Sequence, residues 1–298
     1  MSLETFYTVT RFSHFVAVML MCGMSIFAVI LSVGTFNQIL RCFLTKGIVF
    51  SAVITAITTF GWTVAQAGLM GDGWEDAFDF EIWLGVINTT FGQVWRWELL
   101  CALLTLGVVF IRSQNVKLYL LLVLSVVMLG LHALIGHAAM NDGVAGSLHR
   151  LNQFIHLISA AYWFGGLWPF LICIQFLRDK RELAAGLDKQ ISLSMIRFSR
   201  YGHIAVAAVL ITGIISSVTL LPNWPFAYSA SEYQSLLWLK ISLVGLMVLL
   251  ALVNRYILVP NIKRKGRLQY LIINSWIELL LGTMAILAVA IFATYQPV

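Results

Sequence analysis

The sequence predicts an all-α, polytopic membrane protein, and three observations support this prediction. Hydrophobic residues make up 60% of the 298 residues and charged residues only 11%, whereas a soluble domain carries roughly 25% charged residues. The mean hydropathy of the chain is +0.89. Apolar runs long enough to cross a bilayer as helices recur along the whole chain, and they lack the two-residue alternation of membrane strands. We therefore expect a single integral membrane domain over residues 1–298.

Eight of these apolar runs have the length of about 20 residues that a transmembrane helix needs. They lie at about 9–33, 45–69, 91–111, 116–139, 150–176, 200–220, 235–258 and 269–294. The first run is too long for the apolar part of a cleaved signal peptide, and similar runs follow it. We therefore count it as the first of eight transmembrane helices.

The basic residues indicate how these helices are oriented. Most of the 19 Lys and Arg residues fall at alternate connections, namely those after the first, third, fifth and seventh predicted helices. Because positively charged connections stay in the cytoplasm, we expect both termini on the opposite, outer side of the membrane. The net charge of +6 then reflects membrane topology, and we expect the lipid bilayer and no nucleic acid as a partner.

The connection after the second predicted helix is acidic and rich in aromatic residues, with the sequence GLMGDGWEDAFDFEIW. One interpretation is a solvated loop anchored by its aromatic side chains. Another is a short helix that lies at the membrane interface. In either form, its charge would suit a cation or a basic partner.

The histidines are the main candidates for chemistry, because ionisable groups are costly within a membrane. Five of the six histidines fall toward the predicted outer side, and most of these lie in the stretch 131–169. Imidazole suits copper, zinc, nickel and iron, and the thioether of a nearby methionine suits monovalent copper. We therefore predict an outer metal site formed by His14, His137, Met140, His149 and His156. The alternative for each histidine is a packed residue that is hydrogen-bonded to the backbone.

His132 is expected to act separately from this group. It lies five residues before His137, so the two side chains point in different directions on a helix. It is a candidate metal ligand, or a haem ligand if the protein binds haem.

The first predicted helix carries further soft ligands after His14. Met21, Cys22 and Met24 follow it in the sequence RFSHFVAVMLMCGMSIF, and such a row could pass a soft cation inward. The alternative is ordinary core packing, for which methionine is well suited. The cysteines are isolated and form no CxxC pair, so we expect no disulfide framework.

Two charged residues stand within later predicted helices. Glu278 falls near the middle of the eighth helix and Lys240 within the seventh. Pairing between them would offset the cost of burying both charges, and the alternative is a role in proton coupling or gating. Arg96 and Glu98, in VWRWELL, are expected at the membrane interface.

Several longer motifs resemble a known family. The segments are LIGHAAMNDG, LHRLNQFIHLISAAYWFGGLWP, MIRFSRYGHIAVAAVLITG, YQSLLWLK and IELLLGTMAILAVA. In this order they resemble the CopD/PcoD family of bacterial inner-membrane copper resistance proteins, over essentially the whole chain. The resemblance implies eight helices, handling of copper between periplasm and cytoplasm in the direction of uptake, and a periplasmic copper-carrier protein as partner.

Two other functions are compatible with the sequence. A b-type haem membrane protein that transfers electrons would use His14, His132 or His156 as axial ligands. A non-transporting protein would bind copper, in the monovalent form that thioethers prefer, and exchange it with a periplasmic carrier. No nucleophile–base constellation or phosphate-binding loop is present in the sequence, so we do not expect an enzyme.

Overall fold

The computed structural model describes residues 1–136, 143–179, 186–221, 231–261, 264, 266–292 and 295. Over these residues the fold is all-α. The helices are α1 (Leu3–Ile26), α2 (Gly34–Met70), α3 (Phe80–Asn88), α4 (Thr90–Val109), α5 (Gln114–His132), α6 (Gly143–Arg178), α7 (Leu187–Leu220), α8 (Glu232–Val253) and α9 (Arg267–Phe292). Each of the eight predicted spans corresponds to one long helix, and α3 is an additional short one.

Seven of the described helices are long and apolar enough to cross a membrane. The exception among the predicted spans is α4, whose first half carries Arg96 and Glu98. The prediction of a multi-span helical membrane protein is therefore confirmed. The eighth crossing and the periplasmic placement of both termini stay predictions.

Side-chain caps explain where several helices begin. The hydroxyls of Thr89, Ser113 and Ser231 accept hydrogen bonds from the free N–H groups at the starts of α4, α5 and α8, as expected of N-cap residues. The carboxylate of Asp79 accepts from the N–H groups of Glu81 and Ile82 and begins α3. The acidic connection therefore leads into a short helix, and the location of this helix at the membrane interface stays a prediction.

Helix α1 lies at the centre of the fold and packs against α2, α5, α6 and α9. Its contact with α6 depends on two glycines that face each other, Gly23 and Gly165. A Cβ atom at Gly23 would overlap the backbone of Ala161 and Gly165, and one at Gly165 would overlap the backbone of Met19. The two helices can approach this closely only because both positions lack a side chain.

Two π-helical turns interrupt the regular helices, at Phe27–Leu31 after α1 and at Asn254–Leu258 after α8. Turns of this kind often occur at functional sites. The second turn begins with the buried side chain of Asn254, which takes part in the polar contacts described below.

Candidate metal centre

Three buried side chains from α1, α4 and α5 meet at one point: His14, Glu98 and His132. Nε2 of His14 lies 3.3 Å from Oε1 of Glu98, and Nδ1 of His132 lies 3.9 Å from the same oxygen. The two imidazole rings are stacked with their centroids 4.9 Å apart. One ligand atom from each residue lies within 4.8 Å of the others. We call these residues the His–Glu–His cluster, and their atoms are close enough to share one ion.

Hydrogen bonds around each imidazole indicate its tautomer. Nδ1 of His14 lies 3.1 Å from the hydroxyl oxygen of Thr58, and that hydroxyl donates to the carbonyl oxygen of Ile54. Nδ1 of His132 lies 2.6 Å from the carbonyl oxygen of Met128. Because both neighbouring oxygens act as acceptors, we assign the proton to Nδ1 in both rings. Nε2 of each ring then presents a lone pair.

The cluster contains acceptors without donors. Nε2 of both histidines and both carboxylate oxygens of Glu98 are buried and have no hydrogen-bond partner among the described residues. Buried polar atoms are normally paired, and a dry carboxylate beside imidazole lone pairs is stabilised by a cation, either a metal ion or protons. Imidazole nitrogens are ligands of copper, zinc, iron and nickel, and a carboxylate oxygen can complete the coordination of such an ion. The residues present therefore fit a transition-metal ion.

Aromatic side chains enclose the cluster. Trp62 and Trp95 lie 5.7 and 6.1 Å from the ring of His14, and Phe15 lies 4.9 Å from the ring of His132, measured between centroids. The indole N–H of Trp95 donates to the hydroxyl of Thr63 at 2.9 Å, which fixes this wall. Such an enclosure excludes water and strengthens any electrostatic interaction within it.

A cavity of about 390 Å³ borders the cluster. Residues near the starts of α1, α6 and α8 and near the ends of α7 and α9 line it, so we call it the terminal-face cavity. His132, His149 and His156 all contribute to the lining. Nδ1 of His156 lies 2.8 Å from the hydroxyl oxygen of Thr212, which donates to its own helix backbone. His132 is therefore shared between the cavity and the cluster.

Comparison with known proteins decides the family. Residues 2–147 match the copper resistance protein D-like N-terminal domain, and residues 193–292 match copper resistance protein D. The chain is 34% identical over 289 residues to inner membrane protein YebZ of Escherichia coli (strain K12), which covers 96% of this chain and 97% of that protein. The chain belongs to the copper resistance protein D family. This confirms the resemblance seen in the sequence.

A second relative within the copper resistance protein D family is more distant. It is copper resistance protein D of Pseudomonas syringae pv. tomato, 30% identical over 182 residues, which cover 60% of this chain and 57% of that protein. No solved structure matches the chain. Together with the apolar helices, the relatives identify this member of the family as a multi-pass inner-membrane protein.

In this copper resistance protein D family member, the predicted metal-site residues are only partly brought together. His14 belongs to the cluster, but its histidine partner is His132, which we expected to act separately. His149 and His156 line the terminal-face cavity instead. His137 and Met140 lie outside the described residues.

Glu98 was missed as a site residue, because its place near the start of a span suggested the membrane interface. It is fully buried, whereas Arg96 is exposed. Residues two apart on a helix differ in direction by about 200°, so only one of these neighbouring charges can face the core. The sequence signal that could have revealed the burial of Glu98 is its position one turn before Cys101, on the same face of the helix, where Cys101 is also buried.

The predicted row of soft ligands lies in the core beyond His14. Met21, Cys22 and Met24 are 0%, 0% and 3% exposed. The thiol of Cys22 contacts the hydroxyl of Ser125 on α5, on the same pair of helices that supplies both histidines of the cluster. Burial of these side chains agrees with ordinary packing as well as with a soft-cation path, so the path stays a prediction.

The predicted pair between Lys240 and Glu278 is wrong. The carboxylate of Glu278 accepts instead from the side-chain amide of Asn254 at 2.6 Å and from the indole of Trp163 at 3.4 Å. Nζ of Lys240 lines the terminal-face cavity and lies 5.9 Å from the ring centroid of Phe292. The two charges occupy different environments because α8 and α9 place them at different depths.

Proposed function

We propose that this protein binds copper at the His–Glu–His cluster and moves it across the inner membrane toward the cytoplasm. The observation that supports this most directly is the dry, acceptor-only arrangement of His14, Glu98 and His132. In a family of copper resistance proteins, copper is the transition metal to which this arrangement is best assigned. No catalytic step is part of the proposal.

The terminal-face cavity supplies an entry route. Copper enters among His149 and His156 and reaches His132 at the boundary of the cluster. His137 and Met140, which lie outside the described residues, stay predicted ligands. Met21, Cys22 and Met24 then form the onward row. The thioethers and the thiol of that row suit monovalent copper, which is the form that we expect to be transported.

The proposed direction rests on topology. We propose that α4 is the eighth membrane crossing and that both termini lie in the periplasm, because the basic residues collect at the opposite ends of the helices. We also propose that the whole chain acts as one membrane domain, since one continuous apolar core joins α1 to α9. A periplasmic copper carrier would then dock at the acidic segment Asp76–Phe78 and the helix α3 that follows it.

Copper titration of the purified protein tests the site. Replacing both His14 and His132 with alanine should remove one equivalent of tightly bound copper, because two of the three ligands are lost. His203→Ala is the matched control, since His203 is an exposed histidine whose ring contacts Ser199 and Tyr256 at a distance from the cluster. An unchanged copper stoichiometry in the double variant would refute the assignment.

Copper flux into vesicles tests movement across the membrane. Reconstituted protein should accumulate copper, and the His14/His132 double variant should not. Copper binding without flux would favour the alternative of a non-transporting partner of a carrier.

The haem alternative is tested by the optical spectrum. His14 and His132 are stacked against each other at 4.9 Å, so in this arrangement they cannot ligate one haem iron from opposite sides. We expect no Soret band from the purified protein. A haem band with little bound copper would overturn the proposed function.

A further inference from the structure

A second cavity, of about 470 Å³, lies between α6, α7 and α8. It is lined by residues near the end of α6, the start of α7 and the end of α8, including Leu177, Ser192 and Arg255. These helix ends lie opposite to the helix ends that line the terminal-face cavity. We call it the basic-face cavity, because the basic connections of the chain adjoin it.

Trp163 separates the two cavities. It is a lining residue of both, and its side chain is only 6% exposed. Glu278 lines the basic-face cavity, whereas Lys240 lines the terminal-face cavity. The indole of Trp163 therefore stands in the partition between the two cavities, and the carboxylate of Glu278 lies against that ring.

The surroundings of Glu278 are built to hold a carboxylate. Its two oxygens accept from Trp163 Nε1 at 3.4 Å and from Asn254 Nδ2 at 2.6 Å. The side-chain oxygen of Asn254 accepts from Asn274 Nδ2 at 2.9 Å. This last contact orients the Asn254 amide so that its N–H group, and not its oxygen, faces Glu278.

These neighbours distinguish the ligand of Glu278 from that of the cluster. An indole N–H is a donor only, and the Asn254 amide turns its N–H group toward Glu278 and its oxygen toward Asn274, so neither group offers a lone pair beside the carboxylate. The two N–H donors stabilise the charged carboxylate, whereas its burial favours the neutral acid. With its charge already satisfied by donors, a proton taken up from the adjoining cavity is the ligand that suits this carboxylate.

We propose that Glu278 is a proton-binding site that exchanges with the basic-face cavity, and that its protonation releases Trp163 and opens the partition between the two cavities. The proton binds to Oε2, which then becomes an O–H donor and loses its charge. The longer contact with the indole is weakened most, because a neutral acid is a poorer acceptor than a carboxylate. That copper movement is coupled to this proton rests on the proposed function.

Few other charged groups face this site. His203 from α7 and Arg255 from the turn after α8 line the same cavity. Among the lining residues, α6 supplies no titratable group and α9 supplies only Glu278. Proton exchange at Glu278 therefore responds to the pH of the basic-face cavity, where His203 and Arg255 are the neighbouring ionisable side chains.

Infrared difference spectroscopy of the full-length protein in lipid tests the site without copper. Acidification should add the carbonyl stretching band of a buried carboxylic acid, and Glu278→Gln should abolish this band. Glu232→Gln, which alters an exposed carboxylate at the start of α8, should retain it. Glu98→Gln identifies any share that arises from the cluster. Persistence of the full band in Glu278→Gln would overturn the proposal.

The role of the indole is tested by Trp163→Phe, which keeps an aromatic ring in the partition but removes the N–H donor. The Glu278 band should appear at higher pH in this variant, because the indole N–H stabilises only the charged carboxylate. The pH of its appearance should stay unchanged in Trp168→Phe, because Trp168 is a half-exposed tryptophan on the same helix that packs against Trp276. Appearance of the band at the wild-type pH in Trp163→Phe would show that the indole does not hold the charged Glu278 and would refute the gate.

Copper flux measured at several pH values tests the coupling. Flux through the wild-type protein should change by up to about tenfold per pH unit, the limit for a single titrating group, and Glu278→Gln should lose this dependence. An equal pH dependence in Glu278→Gln would refute the coupling. Absence of copper flux in the wild-type protein would instead contradict the proposed function, and the infrared result would still decide the proton site.

Discussion

The protein buries two carboxylates in its helical core, and their surroundings are opposite in kind. Glu98 is 0% exposed and has no hydrogen-bond donor among the described residues, whereas Glu278 is 2% exposed and accepts from two N–H groups. Nε2 of His14 presents a lone pair to Glu98, and Nδ1 of His132 donates to the carbonyl oxygen of Met128 instead, so a cation would satisfy this carboxylate. Glu278 already has its donors, and only its own charge can change.

The comparison teaches that burial of an ionisable group does not by itself indicate what it binds. Both glutamates stand within apolar runs, and both are costly to bury. The atoms facing each carboxylate decide the chemistry: neighbouring acceptors call for a cation, whereas neighbouring donors already satisfy the charge, which protonation would then remove. Substitutions of the two glutamates and of residues around them test this contrast.

The largest effect is expected from the glycine contact that holds the two regions together. Helix α1 carries His14 and α6 carries Trp163, and Gly23→Ala would force these helices apart. Overpacking of this kind costs about 1–3 kcal/mol, so the midpoint of thermal unfolding should fall and copper binding should weaken. Gly107→Ala is the matched control, because nothing lies within 4 Å of its added Cβ. Equal midpoints for the two variants would contradict the close packing.

The same substitution at the two carboxylates should have opposite effects on stability. Glutamine at position 98 adds an N–H group that can donate a hydrogen bond to Nε2 of His14, so the metal-free protein should become more stable. Glutamine at position 278 places an amide against the N–H donors of Trp163 and Asn254, which should destabilise the protein by about 1–3 kcal/mol. Thermal unfolding without metal measures both, and changes of the same sign would break the comparison.

Copper affinity should also distinguish these two variants, and here the loss is expected in Glu98→Gln. Glu98→Gln should weaken copper binding by at least about tenfold, which corresponds to about 1.4 kcal/mol, because it removes an anionic ligand. Glu278→Gln should leave copper affinity unchanged at constant pH. Competition with a copper chelator measures both, and a matching loss in Glu278→Gln would place Glu278 in the metal site.

The smallest effect is expected from the residue that orients His14. Thr58→Val removes the nearer of the two hydroxyls that accept from Nδ1, at 3.1 Å, and leaves that of Thr59 at 3.4 Å, so the ring is held less firmly with its Nε2 lone pair free. Loss of an outer partner typically costs about 10-fold or more in metal affinity, and the remaining hydroxyl should keep the loss below that of Glu98→Gln. Thr219→Val is the control, because Thr219 is an exposed threonine that bonds only to its own helix. An unaltered affinity in Thr58→Val would mean that the tautomer of His14 is not held by this contact.

Much of the fold could be predicted because lipid imposes strong local rules. Apolar length predicted each long helix, since backbone groups must be paired within the segment that crosses the membrane. The site was less accessible to such rules. His14 was predicted, but its partners lie on α4 and α5, and no spacing along one helix reveals which residues of different helices meet.

The pair predicted between Lys240 and Glu278 shows the same limit. Opposite charges on consecutive helices suggested a contact, but a sequence does not state the relative depth or rotation of two helices. The π-helical turn at Asn254–Leu258 brings the Asn254 side chain to Glu278, and no sequence signal foretold it. Single candidate residues such as His14 could therefore be predicted from the sequence, whereas the contacts between residues of different helices could not.

By itself the sequence determined that this is a helical, multi-pass membrane protein of the copper resistance protein D family, because hydropathy and motifs are properties of contiguous segments. Only the tertiary structure decided that His14 meets Glu98 and His132, and that Trp163 stands between two cavities beside Glu278. The physical reason is that the free energy of a buried charge depends on the few atoms that face it. In this fold those atoms come from helices that are far apart in the chain.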